Sequence, residues 1–77
     1  MDGIKLMIVF HEGSWKMKVG DILSRPYKSE SEAIGAAIKR ARRIGRDGYE
    51  SEVVMKMLTC RFGPNGLVET VPTRTVG

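Results

Sequence analysis

Five cations crowd into eight consecutive residues near the middle of this sequence. A guanidinium group donates two parallel hydrogen bonds to one phosphate, and a lysine ammonium adds a mobile positive charge. The chemistry that such a cluster could perform is phosphate binding, above all along a nucleic-acid backbone. The same spacing is also typical of a solvated helix face whose cations complement the negative end of the helix dipole. Both interpretations stay open for the cluster, which consists of Lys39, Arg40, Arg42, Arg43 and Arg46.

Residues typical of nucleophilic or metal chemistry are few. His11 and Cys60 are the sole histidine and cysteine of the sequence, whereas a closed zinc site needs four ligands. A catalytic thiol would need an imidazole beside it, and nothing in the spacing of these two residues predicts that contact. We therefore expect a protein that is not an enzyme, with no catalytic residue, no metal, no cofactor and no small-molecule substrate.

The cations lie in the segment with the strongest helical periodicity, residues 29–45. Ser29 and Glu32 form a capping box that predicts the helix start, and Gly45 predicts its end. At about 100° per residue the cations fall on one face of this helix, and an apolar stripe falls on the opposite face. We expect that stripe to be core, with Ala33 at its edge; it consists of Ile34, Ala37, Ile38, Ala41 and Ile44.

Alternating apolar and polar residues predict two strands before the helix. Residues 4–10 and 15–19 both alternate, and a short loop containing Gly13 joins them. They are expected to pair as an antiparallel hairpin. In the second strand, Lys16 and Lys18 then point away from the core.

Two further strands are predicted after the helix. Residues 52–62 have the β-branched and long apolar content of a strand, and Asn65-Gly66 predicts a hairpin turn after it. A shorter strand over residues 67–71 ends at Pro72. Residues 20–28 are expected to be a connection without a strand.

These elements predict a two-layer ββαββ fold of the α+β class, a four-stranded antiparallel sheet with one amphipathic helix packed on one face. The chain is expected to be a single domain, residues 1–77, ordered over about 4–72 with a frayed tail at 73–77. The preferred register sends Val53, Met55 and Met57 to the core and places Cys60 outside. The sheet face without a helix then carries Lys5, Met7, Val9, Lys16, Lys18, Val54, Lys56 and Leu58.

This open face has two candidate partners, because a mixed apolar and cationic surface usually marks a contact. A second copy could cover it in a homodimer whose interface would contain Met7, Val9, Val54 and Leu58. A nucleic acid could contact Lys16 and Lys18 in addition to the helix cations. Stacking of single-stranded bases is not expected, since Phe10 and Trp15 are predicted to point to the core.

Composition agrees with a small basic globular domain. The 77 residues are 42% hydrophobic, and a formal net charge of +4 with a pI near 9.6 suits an anionic partner. The apolar run of residues 6–10 is too short for a signal peptide or a membrane span, and one cysteine forms no intramolecular disulfide. We therefore expect a cytoplasmic protein with no membrane partner.

Several short motifs carry a family resemblance. A first strand ends at His11, Trp15 opens the second strand, and the helix contains Ser31-Glu32-Ala33-Ile34 and the segment 37–41, followed by a strand and a Gly-closed hairpin. The chain thus resembles, over roughly residues 5–70, a bacterial and phage family catalogued as domain of unknown function number 2188. Members usually have Gly directly before the Trp, whereas Ser14 separates the two here. The resemblance implies a ββαββ domain and no activity.

Taken together, the residues predict a small, non-enzymatic binding module. The first hypothesis for its function is weak, charge-driven contact with nucleic acid through the basic face of the helix. The alternative is a protein-interaction or homodimerisation module that uses the open sheet face.

Overall fold

A six-stranded mixed sheet with one helix packed on one face makes up the structure, a computed structural model that describes residues 3–73. The strands lie in the order β3-β2-β1-β4-β5-β6. Only β1 and β4 run parallel, and all other neighbours are antiparallel. The elements are β1 (Ile4–His11), β2 (Ser14–Val19), β3 (Ile22–Leu23), α1 (Glu30–Arg46), β4 (Ser51–Val54), β5 (Leu58–Gly63) and β6 (Gly66–Pro72).

The α+β class is confirmed, but the prediction of a four-stranded antiparallel ββαββ sheet is wrong. Ile22 and Leu23 pair with β2 and form a third strand before the helix. The segment predicted as one strand over residues 52–62 is divided by a turn at 55–57 into β4 and β5. Because α1 crosses over and returns the chain beside β1, the contact between β1 and β4 is parallel, as in a βαβ unit.

The first hairpin is confirmed. His11 pairs with Ser14, which leaves a two-residue turn at Glu12 and Gly13. Both turn residues have positive φ angles, 50° and 79°, as a type I′ turn requires, and this turn matches the twist of the strands that it joins.

The predicted start of α1 is confirmed and its predicted end is wrong. The Ser29 hydroxyl accepts the Glu32 backbone N–H at 3.2 Å, as an N-cap does. The helix continues through Gly45 and ends at Arg46, with Gly48 at φ 92° beyond it. Gly48 N–H donates to the Gly45 carbonyl at 2.9 Å and Tyr49 N–H to the Ile44 carbonyl at 3.1 Å. This pair of bonds is a Schellman motif, so Gly48 supplies the stop.

The core lies between α1 and one face of the sheet. On the helix, residues spaced four apart form a completely buried row, and the flanking Ile34, Ile38 and Ile44 are only half-buried. The predicted stripe and the observed row share Ala37 and Ala41 and cover nearly the same side of the helix. The isoleucines flank the row instead of filling it, because small side chains let the helix lie close to the sheet. The buried row is Ala33, Ala37, Ala41 and Gly45. The sheet meets it with Leu6, Met17, Val53 and Phe62.

The face predicted for β5 is wrong, since the turn at 55–57 changes its register. Cys60 pairs with Val53 and packs against the core instead of pointing outside. Leu58 lies two residues earlier on the same strand face, so it also lies on the helix side, where it is 46% exposed. Lys56 and Met57 belong to the turn and are exposed.

The strand β6 ends at Pro72 as predicted, and the next residue is held in place. Thr73 N–H donates to the Met57 carbonyl at 3.0 Å, and its hydroxyl donates to the Met55 carbonyl at 2.8 Å. The rest of the expected tail, residues 74–77, lies outside the described residues.

Candidate nucleic-acid interface

The five predicted helix cations all lie on the exposed side of α1, and we call them the basic helix face. Their positions follow from the helical repeat, because the row of small residues that contacts the sheet leaves the opposite arc in solvent. The sequence prediction of their exposure is thus confirmed. The basic helix face comprises Lys39, Arg40, Arg42, Arg43 and Arg46.

Four of these side chains line one shallow surface depression. Its floor is formed by Ala36 and Ile44, and Asp47 lies at its C-terminal rim. Arg42 does not line it, since it projects from the other flank of the helix. The structure therefore gathers the remaining four, Lys39, Arg40, Arg43 and Arg46, around a single concave site.

The cations of the basic helix face have no ion-pair partner among residues 3–73. Within that part of the chain, Arg61 forms ion pairs with Glu52 and Glu69, and the His11 imidazole lies 3.9 Å from the Glu12 carboxylate. Fully solvated guanidinium groups keep all their donors available to an incoming phosphate. The depression can accordingly accept an anion without first breaking an internal salt bridge.

The sheet face without a helix carries the second set of predicted cations. Leu6 points to the core, so its neighbours Lys5 and Met7 point to the open face. Met7 pairs with Lys18, and Val9 pairs with Lys16, which places both lysines beside apolar side chains. Lys5, Lys16 and Lys18 form what we call the sheet lysines, and none has an ion-pair partner among the described residues.

A row of alternating charges crosses the same face, and sequence reasoning missed it. Lys5 pairs with Glu52, Glu52 with Arg61, and Arg61 with Glu69 on four successive strands. The Arg61 guanidinium lies 3.9 Å from a Glu52 oxygen and hydrogen-bonds to the Glu69 carboxylate. The alternating charge of these residues was visible in the sequence, but only the correct register of β4, β5 and β6 aligns them. The carboxylates of this row are therefore confined to the β4 to β6 half of the face.

The fold places only some of the residues that were predicted for a dimer interface on the open face. Met7 is 39% exposed and lies next to Val54 on β4, with Val9 half-buried further along β1. Leu58 lies on the opposite face of the sheet. The open face thus offers three of the four residues that were assigned to a homodimer.

The two residues with nucleophile or ligand chemistry lie apart. His11 ends β1 on the open face, whereas Cys60 packs on the core side of β5. The Thr70 hydroxyl donates to the Cys60 sulfur, with 3.8 Å between the oxygen and the sulfur. Since the sheet separates the imidazole from the thiol, they do not form a catalytic pair.

The aromatic pair at the hairpin differs from its prediction. Phe10 and Trp15 lie on the helix side of the sheet and touch edge to face, with ring centroids 5.2 Å apart. Trp15 is half-buried, but Phe10 is 62% exposed, because the packed core ends at Ile8 and Met17 along these two strands. Within residues 3–73 the open face carries no Phe, Trp or Tyr side chain, and its one aromatic ring is the His11 imidazole.

The described residues contain neither a membrane-spanning helix nor a cluster of metal ligands. No helix there is long and apolar enough to cross a membrane. No three His, Cys, Asp or Glu side chains in that part of the chain come together as a metal site.

Comparison with known proteins gave no match to a family model, to a curated protein or to a solved structure. The resemblance to the domain family numbered 2188 therefore stays a prediction.

Proposed function

We propose that this protein is a non-enzymatic binding module that contacts the phosphate backbone of a nucleic acid through its basic helix face. The observation that carries the proposal is the depression lined by Lys39, Arg40, Arg43 and Arg46, where four cations accompany one carboxylate, that of Asp47, and none forms an ion pair with a described residue. Such contacts position a backbone and do not read sequence, so binding is expected to be weak and insensitive to base sequence. The lone Cys60 fits a reducing compartment such as the cytoplasm.

Helix stability alone does not account for this cluster. Complementing the helix dipole is effective only in the last turn, where Arg43 and Arg46 lie. Lys39 and Arg40 lie further back, and Lys39 is one turn from Arg43, a like-charge spacing that costs roughly 0.2–0.5 kcal/mol. This concentration of like charge exceeds what the helix dipole can stabilise. It therefore favours an anionic partner.

Homodimerisation through the open sheet face is the competing function, and its support is weaker. Met7 and Val54 would be buried, but the sheet lysines beside them would lose water as well. Taking ammonium groups out of water is costly unless carboxylates meet them, and Glu52 and Glu69 on this face are already engaged by Arg61. The loss of Leu58 to the other face also removes apolar area from that interface.

Reversing two charges in the depression tests the proposal. We expect Arg40→Glu with Arg43→Glu to weaken binding to a short mixed-sequence DNA duplex by about 100-fold or more, since each reversal replaces a phosphate contact by repulsion. Fluorescence anisotropy at several salt concentrations measures this. For the unmodified protein, four phosphate contacts predict that the logarithm of affinity falls with the logarithm of salt with a slope near −3.6.

A matched control separates the site from the net charge. Arg25→Glu with Lys28→Glu makes the same change in total charge in exposed residues between β3 and α1. This control variant should retain most of the affinity for the duplex, and its affinity should fall with salt with nearly the same slope as that of the unmodified protein. Equal losses in the two double variants would show that net charge, and not the depression, binds the duplex.

A further inference from the structure

We infer that one copy of this protein holds two nucleic-acid segments at once, one on the basic helix face and one on the sheet lysines. This inference rests on the proposed function and goes beyond it, because it assigns the open sheet face to a second phosphate backbone. The consequence is bridging of two duplexes by a monomer.

The two cationic surfaces lie on opposite sides of a two-layer molecule. The basic helix face points away from the sheet, and the sheet lysines lie on the sheet face that the helix does not cover. The smallest dimension of the molecule is 22 Å, more than twice the Debye length of about 8 Å at physiological salt. Each surface therefore attracts polyanions independently, and no single straight duplex contacts both.

The open face is divided by charge. In the β4 to β6 half, Arg61 contacts both Glu52 and Glu69, and one guanidinium against two carboxylates leaves this half negative. The β1 and β2 half carries Lys5, Lys16 and Lys18, with Asp21 near Lys18 at the turn before β3. Because Lys5 pairs with Glu52 across the boundary, the positive excess of the face lies at Lys16 and Lys18.

A phosphate backbone is the occupant that this face fits best. It presents negative charge to the sheet lysines along its whole length, whereas the carboxylates that a second copy would offer on this face, Glu52 and Glu69, are already engaged by Arg61. Stacking of successive single-stranded bases relies on several exposed aromatic rings, whereas the open face offers the His11 imidazole and no Phe, Tyr or Trp within the described residues. Lys16 and Lys18 are two residues apart on one strand, and Val9 and Met7 pair opposite them. Both lysines are half-buried, and a lysine whose stem packs on apolar neighbours keeps its ammonium group in water, where it can contact a duplex backbone.

The experiment tests whether protein that is bound to one duplex also retains a second duplex. A biotinylated DNA duplex is held on beads, limiting protein is added, and retention of a second, fluorescent duplex is measured at low salt. The unmodified protein should retain the second duplex, and native mass spectrometry of the same mixture in solution should show one protein chain per two duplexes. Lys16→Glu with Lys18→Glu should bind a single duplex about as well as Arg25→Glu with Lys28→Glu, which has the same net charge, and should retain the second duplex about tenfold less.

The outcomes separate this inference from the proposed function. Binding of one duplex without capture of a second, equal capture by the two variants, or two chains in each bridged complex would each overturn the bridging inference and leave the helix site standing. No binding of even a single duplex by the unmodified protein would overturn both. If the Glu variant fails to fold by circular dichroism, Lys16→Gln with Lys18→Gln replaces it and should show a smaller loss of capture in the same direction.

Discussion

Gly45→Ala is expected to lower the free energy of unfolding by about 2 kcal/mol, even though alanine is the better helix former. Gly45 lies in the last turns of α1, where the helix meets the turn between β5 and β6. A Cβ at this position would overlap the Gly63 carbonyl oxygen and lie 3.2 Å from the carbonyl carbon. Both are backbone atoms of a hairpin held in the sheet, so the helix or the hairpin must move. In a domain of this size the melting temperature should fall by roughly 8–16 °C.

Gly35→Ala provides the control within the same helix. No atom lies within 4 Å of a Cβ built at Gly35, and the residue is exposed. Here the gain in helix propensity and the loss of unfolded-state entropy both apply, so stability should rise by about 0.5–1 kcal/mol. Thermal unfolding followed by circular dichroism compares the two variants. An equal rise in both would contradict the close approach of α1 to Gly63.

Leu6→Ala is expected to have the largest effect of any single truncation on stability. Leu6 is completely buried in the central strand β1, between α1 and the neighbouring strands. Its loss should cost about 2–5 kcal/mol through lost apolar transfer and the cavity left behind. A domain of this length is stable by roughly 4–12 kcal/mol, so urea unfolding should show a large drop in midpoint.

Met7→Ala tests which face of β1 is core. Met7 is the next residue, points to the open face and is 39% exposed, so its truncation should cost less than about 1 kcal/mol. A loss at Met7 as large as that at Leu6, and dependent on protein concentration, would mean that the open face is buried between two copies.

Local signals in the sequence predicted local structure well. The Ser29 cap, the alternation of β1 and β2 and the exposure of the basic helix face all follow from spacing within a few residues. What failed depended on contacts distant in sequence. The parallel pairing of β1 with β4 arises only when the helix crosses over, and the two-residue strand β3 has no pattern of its own.

Gly45 shows the same limit at the level of one residue. A glycine near the end of a periodic segment is typical of a helix stop, but here its lack of a side chain serves packing against Gly63. The stop is Gly48, three residues further on. On sequence grounds either Gly45 or Gly48 could end the helix. Only the position of the hairpin after β5 decides between them.

The candidate site was predictable in composition but not in arrangement. The helical repeat placed all five cations on one face, yet only the structure separates Arg42 from the four that share a depression. The pairing of Arg61 with Glu52 and Glu69 depends on the register of three strands. That pairing decides which half of the open face keeps unpaired lysines.

The most direct test of the central claim is an amide chemical-shift titration of the isotope-labelled protein with a short mixed-sequence DNA duplex. At about 50 mM salt we predict shifts concentrated at residues 39–46, and at about 200 mM salt we predict that the same additions leave them nearly unmoved. Shifts that avoid residues 39–46, or that persist unchanged at the higher salt, would contradict phosphate binding by the basic helix face.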